Sequence, residues 1–243
     1  MKITVINGTE KKGVTYRLKE MFLEPFRGKA DIAEYYLPRD CPDFCTGCAN
    51  CILRGVETCK DAAHIQKIDL ALRESDLIVM TSPAYVMHVT GAMKAFLDHF
   101  AYRWMPHRPA PEMFGKRAVV LTQCLGAGAR SSAKDIRHSL SWWGISDIGV
   151  FTGALMEGIA WDELSEKKRR QLCGKIRRLS DRFARIDYGQ PGRTSFVIKF
   201  KFLFCRVMRK KLYENGSDDL DGKYWAERGW LQKNRPWRST ARN

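Results

Sequence analysis

A chain of 243 residues that is 44% hydrophobic and 11% aromatic can build a core of its own, which excludes a disordered polymer. No apolar run nears the ~20 residues that span a bilayer, and MKITVING lacks the basic start and long apolar stretch of a secretion signal, so a soluble cytoplasmic protein is expected. The net charge of +15 is lopsided, with +12 carried by residues 161–243. In EKKRRQLCGKIRRLSDRFARI that charge reads as the solvated face of a helix, and nucleic acid is the less favoured explanation.

In chain order, KITVIN is a short apolar run closed by Asn7-Gly8, a strand entering a loop. YRLKEMFLEPF carries Leu18, Met21, Phe22 and Phe26 at helical spacing, and ADIAEYYL reads as a second strand. A cysteine-rich stretch at 41–59 then interrupts the connection. IQKIDLALRES is an amphipathic helix, and DLIVMTSP is a buried strand closing on Ser82-Pro83. TGAMKAFLDHFAYRW is helical, KRAVVLTQC is a fourth strand, and the glycine-bearing loop LGAGARSS leads into the helix AKDIRHSLSWW, ended by Gly144. ISDIGVFTGAL is a fifth strand, followed by a basic helix expected from about Asp162 to Tyr188.

Five alternations of strand and helix imply an α/β fold: a parallel sheet with helices on both faces. Ligands of such sheets sit at the carboxyl ends of the strands, beside the switch point. The loops to inspect therefore follow strands one, three and four. NGTEKKGVTYR offers Gly8 and Gly13, the hydroxyls of Thr9 and Thr15 and a helix start, an anion cradle or simply a helix cap. After strand three, Tyr85 is either a platform for a planar ring or a core tyrosine.

Five of the eight cysteines fall in CPDFCTGCANCILRGVETC. A reducing compartment weighs against disulfides, and such clustering is more in keeping with metal binding or redox chemistry. The five histidines show no ligand spacing such as H-E-x-x-H, and no acid, base or nucleophile is assigned.

NGTEKKGVTYRL, CTGCANC and SPAYVMHVTGAMKAFLDHF, in that order, resemble the NADPH-dependent FMN reductase family of flavodoxin-like flavoproteins, and within it the iron–sulfur flavoprotein branch. The likeness runs over roughly residues 1–185. It implies a flavodoxin-like five-stranded domain over 1–189 that holds FMN non-covalently. Thr9, Lys11, Gly13, Thr15 and Tyr16 would surround the FMN phosphate. Pro83, Ala84, Tyr85 and Val86 would line the isoalloxazine, and the loop from Thr122 through Gly126 to Gly128 would close the ring's other edge. Thr9 stands where the family usually has Ser, Val14 where it commonly has Asn, and His99 where it often has Arg.

Within the branch, Cys45, Cys48, Cys51 and Cys59 match a compact motif for a 4Fe–4S cluster. Zinc on the same thiolates, or no metal, are the alternatives, with Cys41 a spare thiol. The implied activity passes electrons from NAD(P)H through the flavin to a small-molecule or protein acceptor. The alternative is an electron carrier that docks a protein partner and has no NAD(P)H site. The resemblance also implies a homodimer or homotetramer.

Residues 190–243 form a basic, aromatic C-terminal extension outside the five-strand pattern. FVIKFKFLFCRVMRKKL fits a strand or a helix, and the extension reads as a lid or dimer arm ahead of a peripheral membrane contact.

Overall fold

The structure, a computed structural model, describes residues 1–238. Five parallel strands, β1 (Lys2–Asn7), β2 (Asp31–Tyr36), β3 (Leu77–Pro83), β4 (Arg117–Cys124) and β5 (Asp147–Ala154), stand in the order β2-β1-β3-β4-β5. This is the flavodoxin-like arrangement. The chain leaves β1 toward one edge, returns past it to β3, and so creates a switch point between β1 and β3.

Strand parity explains why the central strands are apolar throughout. Ile3, Val5, Leu77, Val79, Val119 and Leu121 face α1 (Val14–Leu23) and α6 (Glu166–Ala184), meeting Leu18, Phe22, Leu172, Ile176 and Phe183. The alternate set, Ile6, Ile78, Met80, Ala118 and Val120, faces α3 (Ala62–Glu74), α4 (Gly91–His99) and α5 (Ala129–Trp142). Because side chains alternate along a strand, a sheet covered on both faces needs hydrophobic residues at both parities.

Two boundaries differ from expectation. The first helix stops at Leu23, and Glu24–Phe26 tighten into a 3-10 turn, because Pro25 has no N–H to continue the ladder. The basic helix runs only over Glu166–Ala184: Ser165 caps it by accepting from the Lys168 amide at 3.2 Å, while Trp161–Glu163 form a separate turn.

The ambiguous segment of the extension is helical. In α7 (Phe196–Glu214), Ile198, Phe202 and Cys205 fall at i, i+4 and i+7 and are buried. They join Trp225 of α8 (Leu220–Glu227), Trp230 and Leu231 in a third cluster laid on Met105 and Phe114. Trp225 stacks on Phe202 with ring centroids 4.8 Å apart. The last five residues of the extension lie outside the described residues. Among the described residues, no helix is long and apolar enough to cross a membrane.

Candidate cofactor crevice and cysteine loop

The register aligns Asn7 with Thr81 and Pro83 with Gln123, so the loops after β1, β3 and β4 leave one edge of the sheet together. They are stitched at the backbone. The Gly8 amide donates to the Thr81 carbonyl at 2.7 Å, and Thr90 Oγ1 donates to the Gly8 carbonyl at 2.6 Å. The same Thr90 oxygen caps α4 by accepting from the Met93 amide. A Cβ on Gly8 would stand 2.7 Å from the Thr81 carbonyl oxygen, so only glycine allows this approach.

On the β1 side, no side chain caps α1, and its first turn holds no acidic residue. The free amides of that turn and the positive end of the helix dipole face the loop. Thr9 Oγ1 accepts from the Lys11 amide at 3.2 Å, shaping the turn, while Thr15 lies buried in the first helical turn. Lys11 and Lys12 are exposed beside it, and the Lys12 ammonium stands 5.5 Å from the Tyr16 ring centroid. Thr9, Lys11, Gly13, Thr15 and Tyr16 thus share one loop–helix junction suited to an anion.

On the β3 side, Tyr85 and His88 pair across a two-residue turn whose central residues, Val86 and Met87, have φ of 47° and 70°. A left-handed β-branched residue is strained, and Val86 is 94% exposed, so no side-chain burial offsets that strain. Ser131 Oγ of α5 donates to the Met87 carbonyl and holds the turn in place. Tyr85, Val86, Met87, Leu125 and Met156 make an exposed apolar rim at this edge, as expected of a binding surface for a flat apolar ring.

The β4 residues divide. Gly126 lies open in the loop, but Thr122 is buried within β4, its hydroxyl donating to the Ala129 carbonyl at 2.7 Å, and is not brought to the crevice surface. Its neighbour Gln123, marked in the sequence only as part of the Thr122–Gly128 loop, has a buried Oε1 without a hydrogen-bond partner among the described residues. An orphaned carbonyl at the carboxyl end of the fourth strand is the kind of group a ligand N–H satisfies.

Gly128 joins the two ring-side loops. It has φ of +104°, and a Cβ there would stand 2.8 Å from Met87 Cα. Gly128→Ala is expected to cost about 1–2 kcal/mol in backbone strain and to push the loops apart. Isothermal titration with FMN should show affinity about tenfold weaker; unchanged affinity would mean the loops do not shape the flavin site.

The cysteine loop lies between β2 and α3. Left-handed Gly47 and Ala49 turn it tightly between Cys45 and Cys51, and α2 (Asn50–Leu53) carries Cys51. Burial raises the Cys51 thiol above its ordinary value, and Cys59, Cys45 and Cys48, all near it, raise it further. Cys45 and Cys48 are exposed, and Cys51 and Cys59 half-buried. Arg108 donates to the carbonyls of Cys51 and Ile52, the latter at 3.0 Å, and is itself paired with Asp221 of α8. The C-terminal extension therefore buttresses the cysteine loop, a link between residues more than 100 apart in sequence.

A cavity of about 770 Å³ is at the other end of the sheet, lined by Lys2, Arg73, Glu74, Asp76, Lys116 and Arg117. That is the amino edge, where doubly wound sheets do not bind their cofactors, and it has no part in the crevice.

The sequence profile described as NADPH-dependent FMN reductase matches residues 1–158, well over half of the chain. The chain belongs to the NADPH-dependent FMN reductase family. Among curated relatives, an iron-sulfur flavoprotein of Archaeoglobus fulgidus is 31% identical over 136 residues, 55% of this chain. The match takes in 59% of that protein, less than two thirds of its length. An NADPH azoreductase of a Bacillus species is 25% identical over 68% of this chain and 78% of its own. Among solved structures, an FMN-dependent NADH-azoreductase of Bacillus anthracis in complex with FMN superposes with a TM-score of 0.56 at 12% identity, covering 76% of this chain and all of that one. At that identity the likeness concerns the fold alone. The family profile ends at residue 158, so α6, α7 and α8 lie beyond its match.

Proposed function

We propose that the chain is an FMN-dependent NAD(P)H oxidoreductase whose crevice holds the flavin and whose four-cysteine loop holds a 4Fe–4S cluster. One observation supports the flavin reading above others. An uncapped helix N-terminus, an exposed apolar rim and the orphaned Gln123 side-chain carbonyl of β4 all lie along the carboxyl edge of a family-matched sheet.

In this reading the α1 amides, the Thr9 and Thr15 hydroxyls and Lys11 bind the phosphate, with Gly13 leaving room for it and Tyr16 beside them. Among the described residues nothing lies within 4 Å of where a Gly13 Cβ would stand. Pro83, Ala84, Tyr85 and Val86 orient the ring, Gly126 leaves its edge open to a nicotinamide, and Gln123 accepts from a ring N–H. When bound, FMN supplies a hydride acceptor and the cluster a one-electron relay toward the acceptor. The side chains need only position and exclude water, so no acid or base is assigned.

The cysteine side rests on two supports: the relative named an iron-sulfur flavoprotein, and Cys45, Cys48, Cys51 and Cys59 carried on one loop between β2 and α3. Arg108 favours a thiolate at Cys51, opposing the rise that burial imposes.

Protein purified without oxygen should show flavin bands and about four irons per chain. NADPH or NADH alone should bleach the flavin; bleaching that required a reduced protein partner would favour an electron carrier. Cys51→Ser should lose the iron and keep the flavin. Failure to retain FMN after its addition would overturn the reading.

A further inference from the structure

Cys59 does not look only toward the other cysteines. Its sulfur, a carboxylate oxygen of Asp61 and a ring nitrogen of His99 all lie within 4.8 Å of one another. Asp61 and His99 are each 4% exposed, and the Cys59 carbonyl accepts from the Ala62 amide, fixing the turn that presents them. His99 Nε2 stands 2.9 Å from the Asp43 carbonyl oxygen, to which it can donate, and 3.5 Å from Asp61 Oδ2. That Asp61 oxygen is buried and makes no hydrogen bond among the described residues.

Lys60 is 4.0 Å from Asp43 and exposed, so it offsets little inside. One thiol and one carboxyl meet there on one imidazole, and a buried Asp61 oxygen faced only by the His99 ring at 3.5 Å is costly as a carboxylate unless a cation meets it.

We infer that Cys59, Asp61 and His99 form a mononuclear site for a zinc-class divalent cation. Sulfur, imidazole nitrogen and carboxylate oxygen are the three donor types zinc takes, and three protein ligands leave a fourth position for water. Binding releases the Cys59 thiol proton to solvent, while neutral His99 keeps one ring N–H and ligates through the other nitrogen: Nδ1 with Nε2–H still on the Asp43 carbonyl, or Nε2 with the proton carried on Nδ1. The donor atoms need to close from within 4.8 Å to the roughly 3–4 Å that tetrahedral ligands keep around zinc, a shift the half-buried Cys59 turn can make. The site is separate from the flavin reading, since Asp61 and His99 lie outside the four-cysteine motif. It shares Cys59 with that motif, so the zinc site is the one open to the chain while no cluster is bound, the state that the triple-serine protein holds.

The test uses the full chain with Cys45, Cys48 and Cys51 all changed to Ser, which removes the cluster and every exposed thiol of the motif. Equilibrium dialysis against zinc should give one zinc per chain, and cobalt in its place should show tetrahedral ligand-field bands with a thiolate charge-transfer band. On that background Asp61→Asn and His99→Gln, near-isosteric changes chosen to preserve packing, should each weaken zinc binding about tenfold or more. Cys59→Ser should abolish the thiolate band. Far-ultraviolet circular dichroism identifies any variant that unfolds, and Asp61→Asn and His99→Gln give two independent readings. No zinc on the triple-serine background, or affinity unchanged in both folded variants, would overturn the assignment whether or not the protein binds FMN.

Discussion

Asp221→Ala is expected to remove about 3–5 kcal/mol of folding stability and to loosen the cysteine loop at a distance. The Asp221 carboxylate is buried and receives Arg108, Arg209 at 2.6 Å and His107 at 2.8 Å. Removing it leaves two guanidinium groups with little solvent access. Arg209 keeps Asp219 at 3.1 Å, but Arg108 keeps only the Cys51 and Ile52 carbonyls. Chemical denaturation measures the stability, and the rate at which Cys51 reacts with a thiol reagent measures the loop. Asp221→Asn, which retains an acceptor oxygen, should lose about half as much. A loss below about 1 kcal/mol for Asp221→Ala would show that water replaces the carboxylate and that the extension does not brace the loop.

That brace shows where a linear reading stops. The sheet was legible because its signal is local. LIVM and AVVL are unbroken apolar runs bounded by turn residues, and β3 is buried at every position. The loop–helix junction at Thr9–Tyr16 was legible too, from glycine, hydroxyl and helix start in one stretch. Gln123 was legible only as one residue of the Thr122–Gly128 loop, because a polar residue near the end of a strand has no distinguishing pattern until its side-chain carbonyl is found buried and unpaired. His99 stands out in the sequence only as a departure from the family pattern. Its meeting with Asp61 depends on packing α4 against the start of α3, across 38 residues of chain, which no spacing rule encodes. In α7 a strand period and a helix period both fit, because Phe200, Leu203, Phe204 and Val207 place apolar residues on the exposed side as well. Burial of Ile198, Phe202 and Cys205 settles the period, and the contacts with Met105 and Phe114 supply the reason.

The extension and the β1 loop solve one problem in two ways: each holds a functional loop by burying charge behind it. Behind the cysteine loop the charge is Asp221 with its arginines. Behind the phosphate side of the crevice it is Lys19. This ammonium is fully buried, bonded to Glu34 and 2.9 Å from Glu20, and lies 4.2 Å beneath the Tyr16 ring. Glu34 also accepts from Tyr36 and Asn7, so a single carboxylate ties α1, β1 and β2 together just below the loop.

Glu34→Ala is therefore expected to cost about 3 kcal/mol, the low end for stranding a buried charge because Glu20 still faces Lys19. Lys19→Met with Glu34→Leu should recover most of that loss, since a packed apolar pair needs no desolvation of ions. The pH dependence gives an independent signature. Burial alone would raise the Glu34 carboxyl, but the hydrogen bonds from Lys19 and Tyr36 prevail and hold it below 4.5. A depressed carboxylate contributes stability above its unfolded value, and that contribution is lost as pH falls through the folded one. Burial likewise lowers Lys19, but its bonds to Glu34 and Glu20 prevail and raise it above 10.5. Its contribution is whole below that value and is lost as pH rises through the folded one. Denaturation curves should thus weaken below about pH 4.5 and above about pH 10.5, and the Lys19→Met/Glu34→Leu protein should lose part of both slopes. If the double variant keeps both slopes unchanged, the pair does not set the pH range over which the crevice stays folded.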